Sequence, residues 1–248
     1  MKNITMDTAE EALLGLIDKV EQTQTENINK AAQLCADAIA HDGVIHVFGS
    51  GHSVGFGMEM TGRPGSLVPV HLIRSTDFIL NGIYTLKEFR DPVVNFERRP
   101  GIAEKLYDLY DIRPNDVFIV ISNSGINGLV IDFAIRAKQD HKVIVVTSWE
   151  HTSSEPSRHP TGKKLYMMGD VVIDNCGPKG DAIIDTEGDG KLCSASAVTG
   201  DVIAQLLSIE TARLLKQQGI EPPLLFEEQT EADKAHNQQL LAKYAGRI

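Results

Sequence analysis

Basic side chains are scarce in this chain. Of 248 residues, 24 are Lys or Arg against 34 Asp or Glu, a formal net charge of −10. A surface that follows nucleic acid or an anionic membrane needs an excess of cations, so neither is an expected partner, although a local basic pocket is not excluded. Cysteine is also rare. Cys35, Cys176 and Cys193 are an odd, scattered set without a CxxC pair, which fits a reducing compartment and excludes a disulfide framework. Aromatic residues make up 6%, with one Trp, so a core must be mostly aliphatic. No apolar run approaches the roughly 18 residues of a membrane span. The opening MKNITMDTAEEALLGL is acidic and interrupted, unlike a signal peptide, and a cytoplasmic location is expected. Internal repeats and low-complexity segments are missing as well.

What is there centres on residues 117–127, VFIVISNSGIN. The run Val117-Phe118-Ile119-Val120-Ile121 reads as a strand buried on both faces. It stops in Ser122-Asn123-Ser124-Gly125, and a helical pattern follows from Ile126 through Leu129, Phe133 and Ala137. A strand, a small hydroxyl-rich turn and a helix start offer hydroxyls and free N–H groups to one anion, and phosphate uses such a site best. The plainer reading is that Ser and Asn only cap the helix. Residues 44–53 repeat the logic, with a strand over 44–48 running into Gly49-Ser50-Gly51-His52-Ser53 and a Gly-rich helix.

Further strands are expected at 68–73, 142–146 and 171–173, with helices at 102–110 and 194–218. Residues 5–40 read as two helices with a polar break at Thr23-Gln24-Thr25-Glu26. Residues 74–100 read as loop and short helix, and 147–168 and 175–191 as loops. The tail over 227–244 reads as a polar helix laid against a neighbour. Alternating strands and helices imply an α/β fold, a three-layer α/β/α sandwich on a central parallel sheet, doubly wound, with an N-terminal helical pair and a C-terminal helix. The expected division is 1–40 helical segment, 41–220 ligand-binding domain and 221–248 helical tail. In such sheets ligands sit at the carboxyl ends of the strands, where both hydroxyl-rich turns lie.

Gly49, Gly51 and Gly55 give G-x-G-x-x-x-G, not the dinucleotide fingerprint G-x-G-x-x-G, and the next strand ends in His71-Leu72-Ile73-Arg74 rather than an acid. The two turns together are more specific. FGSGHS and ISNSGIN resemble the turns of the sugar isomerase (SIS) domain family, which binds phosphosugars. The resemblance covers roughly 40–218. It implies a sugar-phosphate ligand held by Gly49, Ser50, Gly51, Ser53, Ser122, Asn123, Ser124, Gly125 and Asn127, the last in place of the family's Thr. It places another hydroxyl at Ser148 and a site-closing helix at Ser194-Ala195-Ser196-Ala197-Val198. It also implies a homo-oligomer, dimer or tetramer, whose subunits complete each other's sites.

Within that family, Glu59-Met60-Thr61-Gly62-Arg63 is similar to the E-L-T-G-R of phosphoheptose isomerases, whose Glu moves protons. The resemblance implies a sugar-phosphate isomerase using Glu59 as a carboxylate base, with His52 beside the sugar. On position alone Glu59 is a helix-surface acid and His52 a solvent-facing turn residue. The match breaks where those isomerases carry a His four residues before the Glu, since Gly55 stands here, and on the long helix, where 196–213 contain no His. Those side chains include the zinc ligands of some members, so no metal and no cofactor is carried over. The alternatives are another sugar-phosphate enzyme, a deaminase or etherase, or a non-catalytic sensor. His71, His151 and His159 are lesser candidates. His41, His46, His141 and His236 read as structural or surface residues. Asp181, Asp185, Glu187 and Asp189 read as a solvated acidic loop without calcium spacing, and Lys179 as a cation able to approach a phosphate.

Overall fold

The structure, a computed structural model, describes residues 4–248 apart from 92, 94 and 189. The elements in chain order are α1 (Met6–Ala40), β1 (Ile45–Gly49), α2 (Val54–Met60), β2 (Val70–Ile73), α3 (Asp77–Leu80), α4 (Leu86–Phe89), α5 (Ala103–Tyr107), β3 (Val117–Ile121), α6 (Gly128–Ala137), β4 (Lys142–Thr147), α7 (Trp149–Ser154), β5 (Val171–Asp174), β6 (Ala182–Asp185), β7 (Lys191–Ser194), α8 (Ser196–Gln217) and α9 (Glu231–Lys243). Among the described residues, no helix is long and apolar enough to cross a membrane.

The apolar runs pair into a five-stranded parallel sheet in the order β2-β1-β3-β4-β5. β1 and β3 are buried throughout, which is why they read as continuous hydrophobic runs. Alternate residues serve opposite faces. Val117, Ile119 and Ile121 pack with α1, α2 and α8. Phe118 and Val120 pack with α5 and α6 on the other face. Burying each of these side chains contributes about 1.5–3 kcal/mol, so a charge at Phe118 would break the second layer. The helix after β1 lies on one face and the helix after β3 on the other. The crevice between these two neighbouring strands is therefore the topological switch point, where an open α/β sheet takes its ligand.

Four expectations change, the first being the 147–168 loop, which contains the helix α7. The N-terminal segment is one helix rather than a pair. The polar stretch continues it because Thr23 and Thr25 hydroxyls donate back to the Lys19 and Glu21 carbonyls, 2.7 and 2.5 Å away. Gln24 is buried there and its Oε1 accepts the Asp174 N–H at the end of β5, at 3.0 Å. Residues 175–191 are not all loop, since β6 and β7 form an antiparallel hairpin. The tail packs on its own chain. Residues 65–68 hydrogen-bond with 223–225, Tyr244 is buried against Val44 and Val68, and Arg247 reaches Asp116. Asp189 and Pro92, noted in the sequence, lie outside the described residues.

Candidate active site

At the switch point lies a cavity of about 330 Å³. Its floor is the pair of turns that leave β1 and β3. Ser50, Gly51, His52 and Ser53 line it from the first turn; Ser122, Asn123, Ser124 and Asn127 line it from the second. The first turn is a single 3-10 turn leading into α2, and Gly51 occupies it at φ +57°. The second is locked from within. Ser122 Oγ accepts the Gly125 N–H at 3.1 Å, and Gly125 sits at φ +62° where a Cβ would lie 2.6 Å from Thr152 Oγ1. Asn123 Oδ1 accepts from Asn175 Nδ2 at 2.9 Å, and Asn127 Oδ1 accepts from Arg158 Nη1 at 2.8 Å. The Ser53 and Ser124 hydroxyls have no protein partner among the described residues. The N-terminus of α6 opens beside them, and that of α8 contributes Ser196 and Ala197 to the wall.

The sequence candidates divide. Gly49, Gly125, Ser148 and Glu59 do not line this cavity. Gly49 has a positional role instead, since a Cβ there would lie 2.7 Å from the Ser53 carbonyl oxygen. Ser148 is buried and committed, its Oγ donating to the Gly177 carbonyl at 2.6 Å and accepting the His151 N–H at 3.0 Å. Glu59 lies one helical turn beyond Gly55, which lines the cavity, and its carboxylate is held by Arg63 Nη1 at 2.6 and 2.7 Å and by Gln205 Nε2 at 2.5 Å. Among the other candidates, His151 lines the cavity and its Nδ1 accepts the Gly180 N–H at 3.4 Å. His159 is buried against Asp132, 2.7 Å away, and His71 against His46. Lys179 pairs with Glu155 at 2.6 Å rather than entering the site.

One carboxylate that does enter is Glu97. It sits in a one-turn 3-10 helix, Phe96–Arg98, whose N-cap Asn95 accepts the Glu97 N–H at 3.0 Å. Its Oε1 presses on the first turn so closely that a Cβ on Gly51 would lie 2.7 Å away. Burial raises the Glu97 pKa from its ordinary value; the Ser50 hydroxyl and the charges of His52 and Arg98 oppose the rise. Asp201, from α8, is raised by burial and then by the Glu59 charge. Asp181 caps α8, accepting Ser196 N–H at 2.8 Å and its hydroxyl at 2.9 Å. The lining thus carries three carboxylates and no Lys or Arg. Glu97 escaped sequence reading because nothing periodic marks a short turn inside an irregular stretch. Asp201 carried a signal, since Ala197, Gly200 and Asp201 recur at helical spacing with small residues that admit a close neighbour.

A model of the SIS domain matches residues 10–148, and the chain belongs to the SIS domain family. The narrower group is defined by its relatives. The UPF0309 protein lmo0025 of Listeria monocytogenes is 35% identical over 94% of this chain and 94% of its own length. The UPF0309 protein GWCH70_1414 of Geobacillus is 36% identical over 94% of this chain and 92% of its own. Among solved structures the fold is similar to phosphoheptose isomerase GmhA from Neisseria gonorrhoeae, with TM-score 0.52 at 18% identity over 81% of this chain and 93% of that one. It is equally similar to a phosphoheptose isomerase from Francisella tularensis, with TM-score 0.52 at 13% identity over 84% and 96%.

Proposed function

We propose that this chain binds a sugar phosphate at the switch point and isomerises it through Glu97. The observation that carries this reading is the meeting, in one cavity, of two serine hydroxyls without partners among the described residues, in the turns before α2 and α6, with a half-buried carboxylate of raised pKa. Ser53, Ser124 and the N–H groups of the two turns hold the phosphate, and the α6 dipole favours its charge. The sugar then extends toward Glu97. Aldose–ketose exchange moves a proton between two adjacent carbons through an enediol. Glu97, deprotonated, takes that proton from one carbon and returns it to the next, while His52 or His151 can donate to the carbonyl oxygen that becomes an enol and then recover the proton of the other hydroxyl as that oxygen becomes the new carbonyl. A base whose pKa is lifted toward the working pH is better suited to this than an ordinary surface carboxylate.

A second reading has the same cradle and a different head group. Three carboxylates without a lysine or arginine in the wall favour an amine on the sugar, as in an amino-sugar phosphate. Thermal shift against a panel of sugar phosphates, amino-sugar phosphates, free sugars and inorganic phosphate separates these readings, with NMR following any compound that binds. A ligand at about 100 times its Kd adds roughly 2.7 kcal/mol of stability. Ser124→Ala should remove most of the shift. A panel in which no phosphorylated compound stabilises the chain would return both turns to simple helix caps. Conversion of the stabilising compound separates an enzyme from a sensor.

A further inference from the structure

A second cavity, of about 560 Å³, adjoins the first. Gly51 and Glu97 belong to the walls of both, so the 3-10 turn after β1 is a low partition between them. The far side of this second space is built differently. Val54, Met58, Phe89 and Phe96 make an apolar wall, and Arg74 and Arg90 stand in it. Arg74 follows the carboxyl end of β2, and Arg90 is the C-cap of α4.

Neither guanidinium has an ion-pair or side-chain hydrogen-bond partner among the described residues. Several other arginines of this chain are engaged by carboxylates. Arg63 is held by Glu59, Arg136 by Glu104 and Asp140, Arg213 by Glu210, and Arg247 by Asp116. The same lining carries two arginines, Arg74 and Arg90, and two acids, Asp91 and Glu97. The acid nearest in sequence, Asp91, also lines the cavity, and its Oδ1 accepts the Val93 N–H at 2.8 Å. Both arginines are solvent-exposed, so an anion can reach them from solvent, and charge-assisted hydrogen bonds to it are stronger than neutral ones.

We infer that the Arg74–Arg90 cavity is a second anion subsite, and that the ligand is a phosphosugar carrying another anionic group, a phosphate or a carboxylate, at the end away from the first phosphate. This rests on the phosphosugar reading of the first cavity. The neutral cradle of Ser53 and Ser124 holds one phosphate, the sugar passes Glu97 across the partition, and the second anion meets the two guanidiniums. The pairing explains why cations are missing from the first cavity and present in the next. They sit where they can tell a doubly anionic sugar from a simple monophosphate.

The test is calorimetric titration of the whole chain with glucose 6-phosphate, glucose 1,6-bisphosphate and 6-phosphogluconate. Lost charge-assisted contacts of this type correspond to about ten- to a hundredfold in Kd. At least one of the two doubly anionic compounds should bind tighter than the monophosphate by that factor, and which one does so tells phosphate from carboxylate. In Arg74→Gln/Arg90→Gln the preference should vanish while monophosphate affinity stays unchanged. Lys87→Gln, a cation of the same segment outside both cavities, should leave the preference intact. Equal affinity for all three compounds, or a preference that survives the double substitution, overturns the subsite while leaving the phosphosugar reading standing. Binding of none of the three overturns both.

Discussion

Arg247 Nη2 lies 2.7 Å from Oδ1 and 2.8 Å from Oδ2 of Asp116, across a sequence separation of 131 residues. Both side chains are buried. Burial alone would raise the Asp116 pKa, but hydrogen bonds from His46, the Arg113 N–H, Arg247 and the Val44 N–H hold it well below the usual carboxylate range. The end of the chain is thereby tied to the turn that enters β3. Removing one partner of a buried pair strands the other, so Arg247→Met should cost about 3–5 kcal/mol in urea unfolding. The exposed Lys243–Asp42 pair is a built-in comparison. Lys243→Ala should cost less than about 1 kcal/mol. Similar losses for the two variants would show that the Asp116 contact does not anchor the tail.

His71 lies against the same cluster, its Nδ1 3.1 Å from His46 Nδ1 and its ring edge-on to Tyr110. Burial, then the charges of His46 and Arg74, push its pKa down to about 4, against the pull of Asp116. The unfolded chain therefore takes up a proton on this side chain before the folded one does. Stability should be level above about pH 6.5 and fall as pH drops from there toward 4, by up to about 3 kcal/mol. His71→Asn should flatten that interval in denaturation curves measured across it. Loss of stability confined to pH below 4 would assign the effect to Asp116 instead.

Gly51 and Gly15 should respond oppositely to alanine. At Gly51 the backbone is left-handed and a Cβ meets Glu97 Oε1 at 2.7 Å. The substitution should cost about 1–2 kcal/mol and displace the carboxylate. Gly15 lies inside α1 with nothing within 4 Å of its Cβ position. There alanine should stabilise by about 1 kcal/mol. Thermal melts of the two variants check both signs.

Glu97→Gln and Glu59→Gln divide the two possible bases. On any compound that turns over, Glu97→Gln should lose about a hundredfold or more in kcat with binding retained. Glu59→Gln should retain most activity, because that carboxylate is engaged with Arg63 and Gln205. The rising limb of kcat/KM with pH should lie above the usual carboxylate pKa of about 4.3. The reverse outcome would return the base to the helix position that the E-M-T-G-R segment suggests.

Much of the architecture could be read from residues alone because buried parallel strands announce themselves. Val117-Phe118-Ile119-Val120-Ile121 and Ile45-His46-Val47-Phe48 need no partner to be recognised, and the turns after them are chemically conspicuous. What escaped reading depends on contacts distant in sequence. Thr23 to Glu26 look like a break until Gln24 is seen capping the end of β5. Glu59 matches a motif, yet its direction is set by Gln205 on another helix. Glu97 has no local pattern, and only the fold brings it onto Gly51. The short β6–β7 hairpin carries Asp and Gly residues that read as a loop, because its pairing is local and mostly solvent-facing.

The all-parallel pairing of the five-stranded sheet has a consequence for how the chain reaches this state. Ile45 pairs with Val117, and no neighbouring strands in that sheet can meet through a tight turn. Each pairing must wait for a whole crossover segment to close, which places refolding in the slower millisecond-to-second range rather than the microseconds of a helical bundle. During that wait the aliphatic strands are uncovered and can meet those of other chains. Recovery from denaturant is then a race between closure within one chain and collision between two, and dilution favours the first.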